Sequence, residues 1–551
     1  MSSLPPRAPA SKRPTGPARS TTATSGAPLP KIGGQRSDDL AGASEVAALI
    51  EQLSAIRAEM VEEAEGWRPW GEGRDSERDA SARNLLQYLA LRRHDLRETQ
   101  QPLLALGLSS LGRSEGHIQA SVEAVVHALA ALSRCPPAPR SSPEPISATR
   151  SVELLARRTQ ALLGPSPPRR PTRIMVTMPT EAAHDTAFVR EMLLAGMDCM
   201  RINCAHDSPI EWRAIIENLR RAEADTGRRA RVEVDLPGPK LRTGSLAPQH
   251  TRDAKGDYLR LRIGDHLQLA REAAVTVPSE DGSEMPRIGC SLPEAFAATR
   301  LGNHVWLDDG KLGGIVEGVD ENSISVRITV AGPNGSKLRA GKGINLPDTL
   351  LDIDLLGTHS RDALDFAVAY ADIVALSFVS RVSEVKRVER YLNRRARADV
   401  GLVLKIETRR AFERLPGLLL AVLATGRPAG VMIARGDLAV ECGYERLAEV
   451  QEEILWLCEA AHLPVIWATE VLDRLARTGR PSRAEITDAA MSARAECVML
   501  NKGPRITQAI SVLDDILRRM AEHQTKKRAL LRRLHASEYV RTPPDSAGAA
   551  P

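Results

Sequence analysis

The chain has 551 residues, of which 42% are hydrophobic and only 3% aromatic, and its formal net charge is +5. This length leaves room for two or three domains, and no apolar run approaches the ~18 residues that would cross a bilayer. The small net charge and the scarce aromatic side chains argue against a dedicated single-stranded nucleic-acid binder. Seven scattered cysteines without a Cys-x-x-Cys pair predict reduced thiols in a cytoplasmic protein.

The N-terminal part of the chain is predicted to be a disordered tail followed by helices. Residues 1–40 carry seven prolines among Ser, Thr, Ala and basic residues, and they bury too little apolar surface to offset chain entropy. A transit peptide has a similar composition, but these prolines would break its amphipathic helix. Apolar residues at three- and four-residue steps then predict a helical bundle over 41–134, which is a candidate surface for an unknown partner. A Pro-rich stretch predicts an extended linker over 135–170.

Beyond residue 171, short apolar runs alternate with helix-length segments. The runs predict eight strands: Arg173–Met178, Met197–Ile202, Ala230–Asp235, Asp372–Phe378, Gly401–Ile406, Gly430–Ala434, Pro464–Ala468 and Cys497–Leu500. Eight strand–helix units predict an α/β fold, the (β/α)8 TIM barrel, because parallel strands require crossover connections. The barrel is expected to comprise residues 171–244 and 343–522, with a C-terminal tail over 523–551.

One long interruption separates the third predicted strand from the fourth. Between 245 and 342 the chain is Gly-rich and alternates apolar with polar residues, as in Tyr258–Ile263 and Ser323–Ile328. This pattern predicts an inserted antiparallel β-barrel domain, at the place where a lid over the barrel mouth would lie.

Polar residues recur where the predicted barrel strands end. These ends converge on one open face in such a barrel, and active sites form there. Lys405 and Glu407 are two residues apart, so both project from the same side of their strand. Glu407 and Asp437 follow consecutive strands and are candidate ligands for Mg²⁺ or Mn²⁺, with substrate and water oxygens completing the shell. Taken singly, each charge could be a strand-end salt bridge, but recurrence on five strands favours a site. The full set is Arg201, Asn203, Asp235, Lys405, Glu407, Arg435, Asp437 and Thr469.

These residues lie in motifs that resemble those of pyruvate kinase. The motifs follow the family order between about 171 and 520: Thr172–Pro179, Gly196–His206, Asp235–Gly244, Gly341–Pro347, Leu404–Glu407, Val431–Glu441, Pro464–Glu470 and Arg480–Glu485. The resemblance implies a glycolytic kinase that transfers the phosphoryl group of phosphoenolpyruvate to ADP, giving pyruvate and ATP.

The resemblance also implies a role for each site residue. Glu407 and Asp437 would hold Mg²⁺ (or Mn²⁺), Lys405 would lie against the phosphoryl group in transfer, and Arg201 would help to neutralise it. Such positioning and charge neutralisation supply most of the catalysis in phosphoryl transfer.

Two further groups of contacts follow from the same resemblance. Backbone amides near Gly436 and Asp437 would receive the substrate carboxylate, with Thr469 beside it. Asp309 matches the family's acidic lid tip. The nucleotide-contacting positions match His206, Arg242 and Lys342.

The chain departs from the family at its potassium site. Asn203 and Asp235 remain as ligands, but Ala205 and Leu236 cannot coordinate a cation. Lys240 replaces the usual glutamate, and in family members with lysine there the ammonium can stand in for K⁺. The resemblance therefore implies a magnesium-dependent enzyme that does not require K⁺.

Three other departures concern the remaining motifs. Ser380 stands where the family usually has arginine, and Leu500–Pro504 replaces a longer Ser-Gly-Glu-Thr stretch that contains a serine linked to protonation of the enolate. The family's C-terminal effector-binding domain is expected to be absent, while the N-terminal helices are extra.

Two other functions stay open. The sequence also leaves open whether identical chains assemble into an oligomer. A catalytically weak regulatory homologue is favoured by the shortened Leu500–Pro504 stretch and opposed by the full set of site residues. A magnesium-dependent lyase or aldolase acting on a pyruvate enolate would use a similar acid pair, but the lid motifs with Arg242 and Lys342 argue against it.

Overall fold

The chain begins with a helical region, as the sequence predicts. The computed structural model describes residues 35–66, 76–136, 144–246, 251–253, 256–271, 285–291, 295–349, 355–526 and 528–529. The first helices are α1 (Gln35–Glu65), α2 (Ser76–Leu91), α3 (Arg97–Ala105), a 3₁₀ turn (Glu115–His117) and α4 (Ile118–Leu132). Helix α1 begins inside the predicted tail over 1–40, which is therefore wrong from residue 35 onwards, and residues 1–34 lie outside the described part.

The linker prediction over 135–170 is wrong in its second half. Residues Ala148–Leu163 form helix α5, whose N-cap Ser147 accepts a hydrogen bond from the Arg150 amide. The prolines of this stretch flank the helix rather than interrupt it, and residues 137–143 lie outside the described part of the chain. A stripe that includes Leu154, Leu162 and Leu163 is buried, so packing stabilises a helix that the flanking composition concealed.

The predicted TIM barrel is confirmed. Eight parallel strands close in the order β1-β18-β17-β16-β15-β14-β3-β2. The first half contains β1 (Arg173–Thr177), a 3₁₀ turn (Thr180–Ala183), α6 (Thr186–Ala195), β2 (Cys199–Asn203), α7 (Pro209–Thr226) and β3 (Arg231–Asp235). Every predicted barrel strand is present, within a few residues of its expected bounds.

An inserted region follows β3. Its elements are β4 (Thr243–Leu246), β5 (Thr251–Asp253), β6 (Gly256–Leu261), β7 (His266–Ala270), β8 (Arg287–Cys290), α8 (Ala295–Ala298), β9 (His304–Leu307), β10 (Leu312–Val319), β11 (Ser323–Val330), β12 (Ser336–Leu338) and β13 (Ile344–Asn345). They form a seven-stranded and a three-stranded sheet, which share one apolar core. Most pairs are antiparallel, but β7 and β8 pair in parallel.

The second half of the barrel carries the remaining strands and helices. These are α9 (Thr358–Tyr370), β14 (Ile373–Leu376), α10 (Val382–Arg394), β15 (Gly401–Ile406), α11 (Arg409–Glu413), α12 (Leu415–Ala424), β16 (Ala429–Ala434), α13 (Arg435–Cys442), α14 (Leu447–Ala460), β17 (Val465–Val471), α15 (Asp473–Thr478), α16 (Arg483–Met491), a 3₁₀ turn (Ser492–Arg494), β18 (Cys497–Leu500) and α17 (Ile506–Ala521). The predicted tail from 523 is wrong at its start, where β19 (Gln524–Thr525) and β20 (Arg528–Ala529) form a hairpin. Residues 530–551 lie outside the described part.

The C-terminal end of α5 closes the lower end of the barrel. Leu162 and Leu163 belong to the cluster of side chains that fills the barrel interior, together with Met175 and Val403 from the strands. A Cβ added at Gly401 or Gly430 would lie 2.5 or 2.7 Å from a Leu162 methyl carbon, so these two strand glycines make room for it. The helix thus plugs the end of the barrel opposite to the strand C-termini.

The N-terminal helices pack directly on the barrel rather than forming a separate bundle. Asn84 on α2 donates to the Ala460 carbonyl at 2.8 Å, at the end of α14. His462 is fully buried, with its ring nitrogens 3.0 Å from the Ser81 hydroxyl and 2.8 Å from the Gly116 carbonyl. Burial lowers the pKa of His462 to about 3, so the ring is neutral at physiological pH. Both regions share one hydrophobic core.

Within the described residues, no helix combines the length and the apolar character needed to cross a membrane.

Candidate active site at the barrel mouth

The carboxyl ends of the barrel strands surround a cavity of about 750 Å³, a volume usual for small-ligand sites. All parallel strands end at this face, which is why residues far apart in sequence meet there. The predicted site residues that line the cavity are Arg201, Asn203, Asp235, His206, Lys240, Arg242, Lys405, Glu407, Gly436, Asp437 and Thr469. Lys342 lies outside this lining, with its Nζ 3.0 Å from Asp308 Oδ1.

A buried cluster of charges forms the floor of the cavity. Lys405 Nζ lies 3.1 Å from Asp235 Oδ2 and 3.0 Å from Glu407 Oε1. Arg201 donates to Asp235 Oδ2 and, at 2.9 Å, to the Thr177 hydroxyl. The strands hold these side chains in place, because each projects from an end that is hydrogen-bonded on both sides.

The charges of this cluster stabilise one another in their ionised forms. Burial lowers the pKa of Lys405, but Asp235 and Glu407 outweigh it and leave the pKa above its ordinary value. Burial raises the pKa of Asp235, but Lys405 and Arg201 outweigh it and leave the pKa below its ordinary value. Two cations are therefore fixed at the floor of a cavity, where they can neutralise an anionic group.

Glu407 is held from two sides. Its Oε1 faces Lys405, and its Oε2 accepts a hydrogen bond of 2.6 Å from the Phe378 amide. Phe378 has a φ of 57°, a left-handed backbone that is uncommon outside glycine. Burial raises the pKa of Glu407, and the negative charge of Asp437 raises it further against the opposing effect of Lys405.

Asp437 stands at the rim of the cavity, in the first turn of α13. Its Oδ1 lies 2.7 Å from Lys240 Nζ and accepts a longer bond of 3.4 Å from Asn345. Glu407 and Asp437 repel each other across the cavity, and such a pair of hard oxygen ligands suits Mg²⁺ or Mn²⁺. Among the described residues, no group of three or more His, Cys, Asp or Glu side chains is placed to hold a metal ion. A divalent ion would therefore need substrate and water oxygens besides the two carboxylates.

The predicted potassium ligands are engaged by protein groups. Asn203 Oδ1 accepts the Ala205 amide at 3.1 Å. Both oxygens of Asp235 accept hydrogen bonds, Oδ2 from the two cations and Oδ1 from the Ser377 hydroxyl at 3.0 Å. The ammonium of Lys240, the predicted substitute for K⁺, contacts Asp437 at 2.7 Å.

Backbone strain marks the end of β17, where Thr469 lies. Thr469 and Glu470 have φ angles of 73° and 61°, and strained residues of this kind concentrate at functional sites. A Cβ at Gly436 would lie 2.9 Å from Thr469 Cγ2, so only glycine allows the start of α13 to approach so closely. Arg435, a strand-end residue without a role in the predicted site, stabilises this junction by donating to the Ala468 and Thr469 carbonyls at 2.8 and 2.5 Å.

The predicted nucleotide residues lie where the barrel meets the inserted region. Arg242 donates to the Gly341 carbonyl at 3.1 Å. His206 precedes α7, whose N-terminus is fixed by a capping box between Ser208 and Glu211. Partial burial lowers the pKa of His206, and the charges of nearby cations lower it further. The structure brings His206 and Arg242 to the main cavity and Lys342 to the side of it.

Sequence reasoning missed two residues of the floor. Ser377 accepts a hydrogen bond of 2.8 Å from Lys405 and bridges it to Asp235. Glu233 is completely buried one layer below, with its Oε1 3.8 Å from Arg201 Nε and neither carboxyl oxygen hydrogen-bonded. Burial raises the pKa of Glu233 to about 8. A glutamate between two buried valines was the available signal for Glu233, and a polar residue at the end of the predicted strand Asp372–Phe378 was the signal for Ser377.

Comparison with known proteins identifies the family. A family model described as the pyruvate kinase barrel domain matches residues 169–504, which is more than half of the chain. The pyruvate kinase of Agrobacterium vitis is 31% identical over 352 residues, which cover 62% of this chain and 68% of that relative. The pyruvate kinase of Thermococcus litoralis is 32% identical over 326 residues, which cover 59% of this chain and 62% of that relative.

The similarity covers only part of this chain and only part of each relative. The pyruvate kinase of Mycobacterium tuberculosis is 32% identical over 304 residues, which cover 55% of this chain and 59% of that relative. Across these three relatives the chain spans between 59% and 68% of their length. The matched region is the barrel with its inserted strands and the charge cluster at its mouth. The chain therefore belongs to the pyruvate kinase family.

Proposed function

We propose that the protein transfers a phosphoryl group between phosphoenolpyruvate and ADP, giving pyruvate and ATP, with Mg²⁺ or Mn²⁺ as its divalent cofactor. The observation that carries this proposal is the floor of the cavity, where Lys405 and Arg201 are fixed as cations beside the carboxylate of Glu407. Asp437 lines the same cavity at its rim, so two cations and two candidate metal ligands face one volume of about 750 Å³.

Each residue has a distinct task in the proposed reaction. Lys405 and Arg201 neutralise the charge that spreads over the oxygens of the transferring phosphoryl group. Glu407 and Asp437 would hold the divalent ion, which supplies further charge neutralisation when bound. Gly436 lines the cavity in the first turn of α13, and amides at a helix N-terminus suit the substrate carboxylate.

Potassium independence is a finer part of the proposal. Ala205 and Leu236 offer no side-chain oxygen, and Asp235 already accepts hydrogen bonds from Arg201, Lys405 and Ser377. A monovalent ion at this place would have to compete with two fixed cations. This support comes from the saturation of Asp235 rather than from Lys240, whose ammonium contacts Asp437.

The test is a coupled assay of ATP formation from phosphoenolpyruvate and ADP with Mg²⁺ and without K⁺. We expect turnover in the unmutated protein and its loss in Glu407→Gln and Asp437→Asn, since an amide does not replace carboxylate charge on a hard cation. Calorimetric titration with Mn²⁺ should show weaker binding in both variants. Unchanged metal affinity in both variants would exclude the acid pair, and turnover of oxaloacetate without ATP formation would favour a lyase.

A further inference from the structure

Lys240 lies between the barrel and the inserted region and faces two carboxylates. Its Nζ is 2.7 Å from Asp437 Oδ1 on the barrel and 3.8 Å from Asp309 Oδ1 on the inserted region. A Cβ at Gly343 would lie 2.8 Å from Lys240 Cε, so the absent side chain at Gly343 gives the lysine stem its channel. The stem is confined there, and the ammonium lies between the two acids.

The tip of the inserted region (Asp308–Lys311) rests against the barrel at this point. The Tyr444 hydroxyl, from the loop before α14, donates to the Asp309 carbonyl at 3.3 Å, and Gly310 packs beside the Tyr444 ring. The two acids of the tip have different partners. Asp308 pairs with Lys342 and Lys311 at 3.0 and 3.1 Å, whereas the side chain of Asp309 faces Lys240.

The contact between Lys240 and Asp437 conflicts with metal binding at Asp437, on which the proposed function depends. An ammonium 2.7 Å from a carboxylate oxygen and a divalent ion on the same carboxylate would repel each other strongly. Burial strengthens this conflict, because the side chains of Lys240 and Asp437 are only 18% and 17% exposed. In the described part of the chain, Asp309 is the other acid within 4 Å of this ammonium.

We propose that Lys240 is a switching cation: it competes with the divalent ion for Asp437 and, once displaced, fastens the tip of the inserted region through Asp309. Metal binding and the attachment of the tip to the barrel are then coupled. Because such coupling is reciprocal, attachment of the tip also favours metal binding. Lys240 acts here as a positioning residue and does not contact the reacting atoms.

Metal affinity in the absence of substrate and nucleotide tests the competition directly. The probe is Mn²⁺, and its binding is measured by calorimetry and by the loss of the electron paramagnetic resonance signal of the free ion. Removing the competitor in Lys240→Met should tighten Mn²⁺ binding at least about fivefold, a change within the usual range of coupling between sites. Lys240→Arg keeps the charge and should stay within about twofold of the unmutated protein.

Lys311→Met is the matched control, because it removes one positive charge from the same tip without contact to Asp437. Its Mn²⁺ affinity should not change. Hydrogen exchange of the peptide that contains residues 305–312 tests whether the displaced Lys240 holds the tip through Asp309. Exchange should slow when Mn²⁺ is added to the unmutated protein and should not respond in Lys240→Met or Asp309→Asn.

The outcomes separate this inference from the proposed function. If Mn²⁺ binding does not depend on Asp437, as judged with Asp437→Asn, the metal pair and the switch are both wrong. If binding depends on Asp437 but Lys240→Met binds Mn²⁺ no more tightly than the unmutated protein, the switch alone is refuted. An equal gain in Mn²⁺ affinity in Lys311→Met would show that the effect comes from the overall positive charge of the tip, and this result would also refute the switch.

Discussion

Replacing Lys405 by methionine removes a charge from the most buried part of the site while keeping the length of the stem. Lys405 is 7% exposed, and its ammonium contacts Asp235, Glu407 and Ser377 within 3.1 Å. Loss of one preorganised charge-stabilising group lowers the rate by a factor on the order of 10²–10³. We therefore expect Lys405→Met to lose phosphoryl transfer almost completely.

The same change also lowers the free energy of unfolding. Breaking a buried ion pair by removing one partner costs about 3–5 kcal/mol, because the other charge stays buried without compensation. Here Arg201 still neutralises Asp235, and Glu407 can take up a proton because its pKa is already raised. The loss should consequently lie near the lower limit, about 3 kcal/mol.

Initial rates and urea unfolding measured on the same preparation separate the two effects. The matched control is Lys386→Met, which changes an exposed lysine on the outer helix α10; it should leave the rate unchanged and shift the free energy of unfolding by less than about 0.5 kcal/mol. Circular dichroism at the assay temperature establishes that Lys405→Met is folded when its rate is measured. A folded Lys405→Met protein with more than about a tenth of the normal rate would contradict the role of Lys405.

Three further outcomes are expected. Leu162→Ala leaves a cavity at the lower end of the barrel and should lower the free energy of unfolding, measured with urea, by about 2–5 kcal/mol. The control is Val152→Ala, on the exposed side of α5, which should change that free energy by less than about 0.5 kcal/mol. Folding raises the pKa of Glu233 from 4.5 to about 8, so the folded state holds a proton that the unfolded chain has lost, and stability falls as the pH rises through this window. Glu233→Gln should remove that fall, so its melting temperature relative to the unmutated protein should rise between about pH 5 and pH 8. Adding K⁺ should change the initial rate less than about twofold, since protein cations already supply the charge; strong activation would contradict this.

The barrel was predictable because its strands are buried on both faces. Such strands appear in the sequence as short continuous apolar runs, and the last of them, Cys497–Leu500, was predicted with its observed bounds. The polar residues that end these runs were predictable for the same reason, since a charge directly after a buried strand has to lie at the mouth. This logic located Lys405, Glu407 and Asp437 from the sequence.

The position of α5 could not be deduced in this way. Its buried leucines face the interior of a barrel that is built from distant segments, so local composition carries no sign of their partners. The room for Leu162 comes from Gly401 and Gly430, about 240 and 270 residues further along the chain. The docking of His462 against the N-terminal helices is likewise a long-range contact.

The two acidic positions of the mouth differ in how firmly they hold their cations. Asp235 lies at the floor and is 2% exposed, with Lys405 and Arg201 fixed on it by strand geometry. Asp437 lies at the rim and is 17% exposed, and its partner Lys240 comes from the loop between β3 and β4. Separating a deeply buried pair leaves uncompensated charge, whereas a pair at the rim exchanges partners with solvent or ions far more easily. In the proposed function, the permanent charge at the floor would neutralise the phosphoryl group, while the exchangeable charge at the rim would admit a metal that arrives with its substrate.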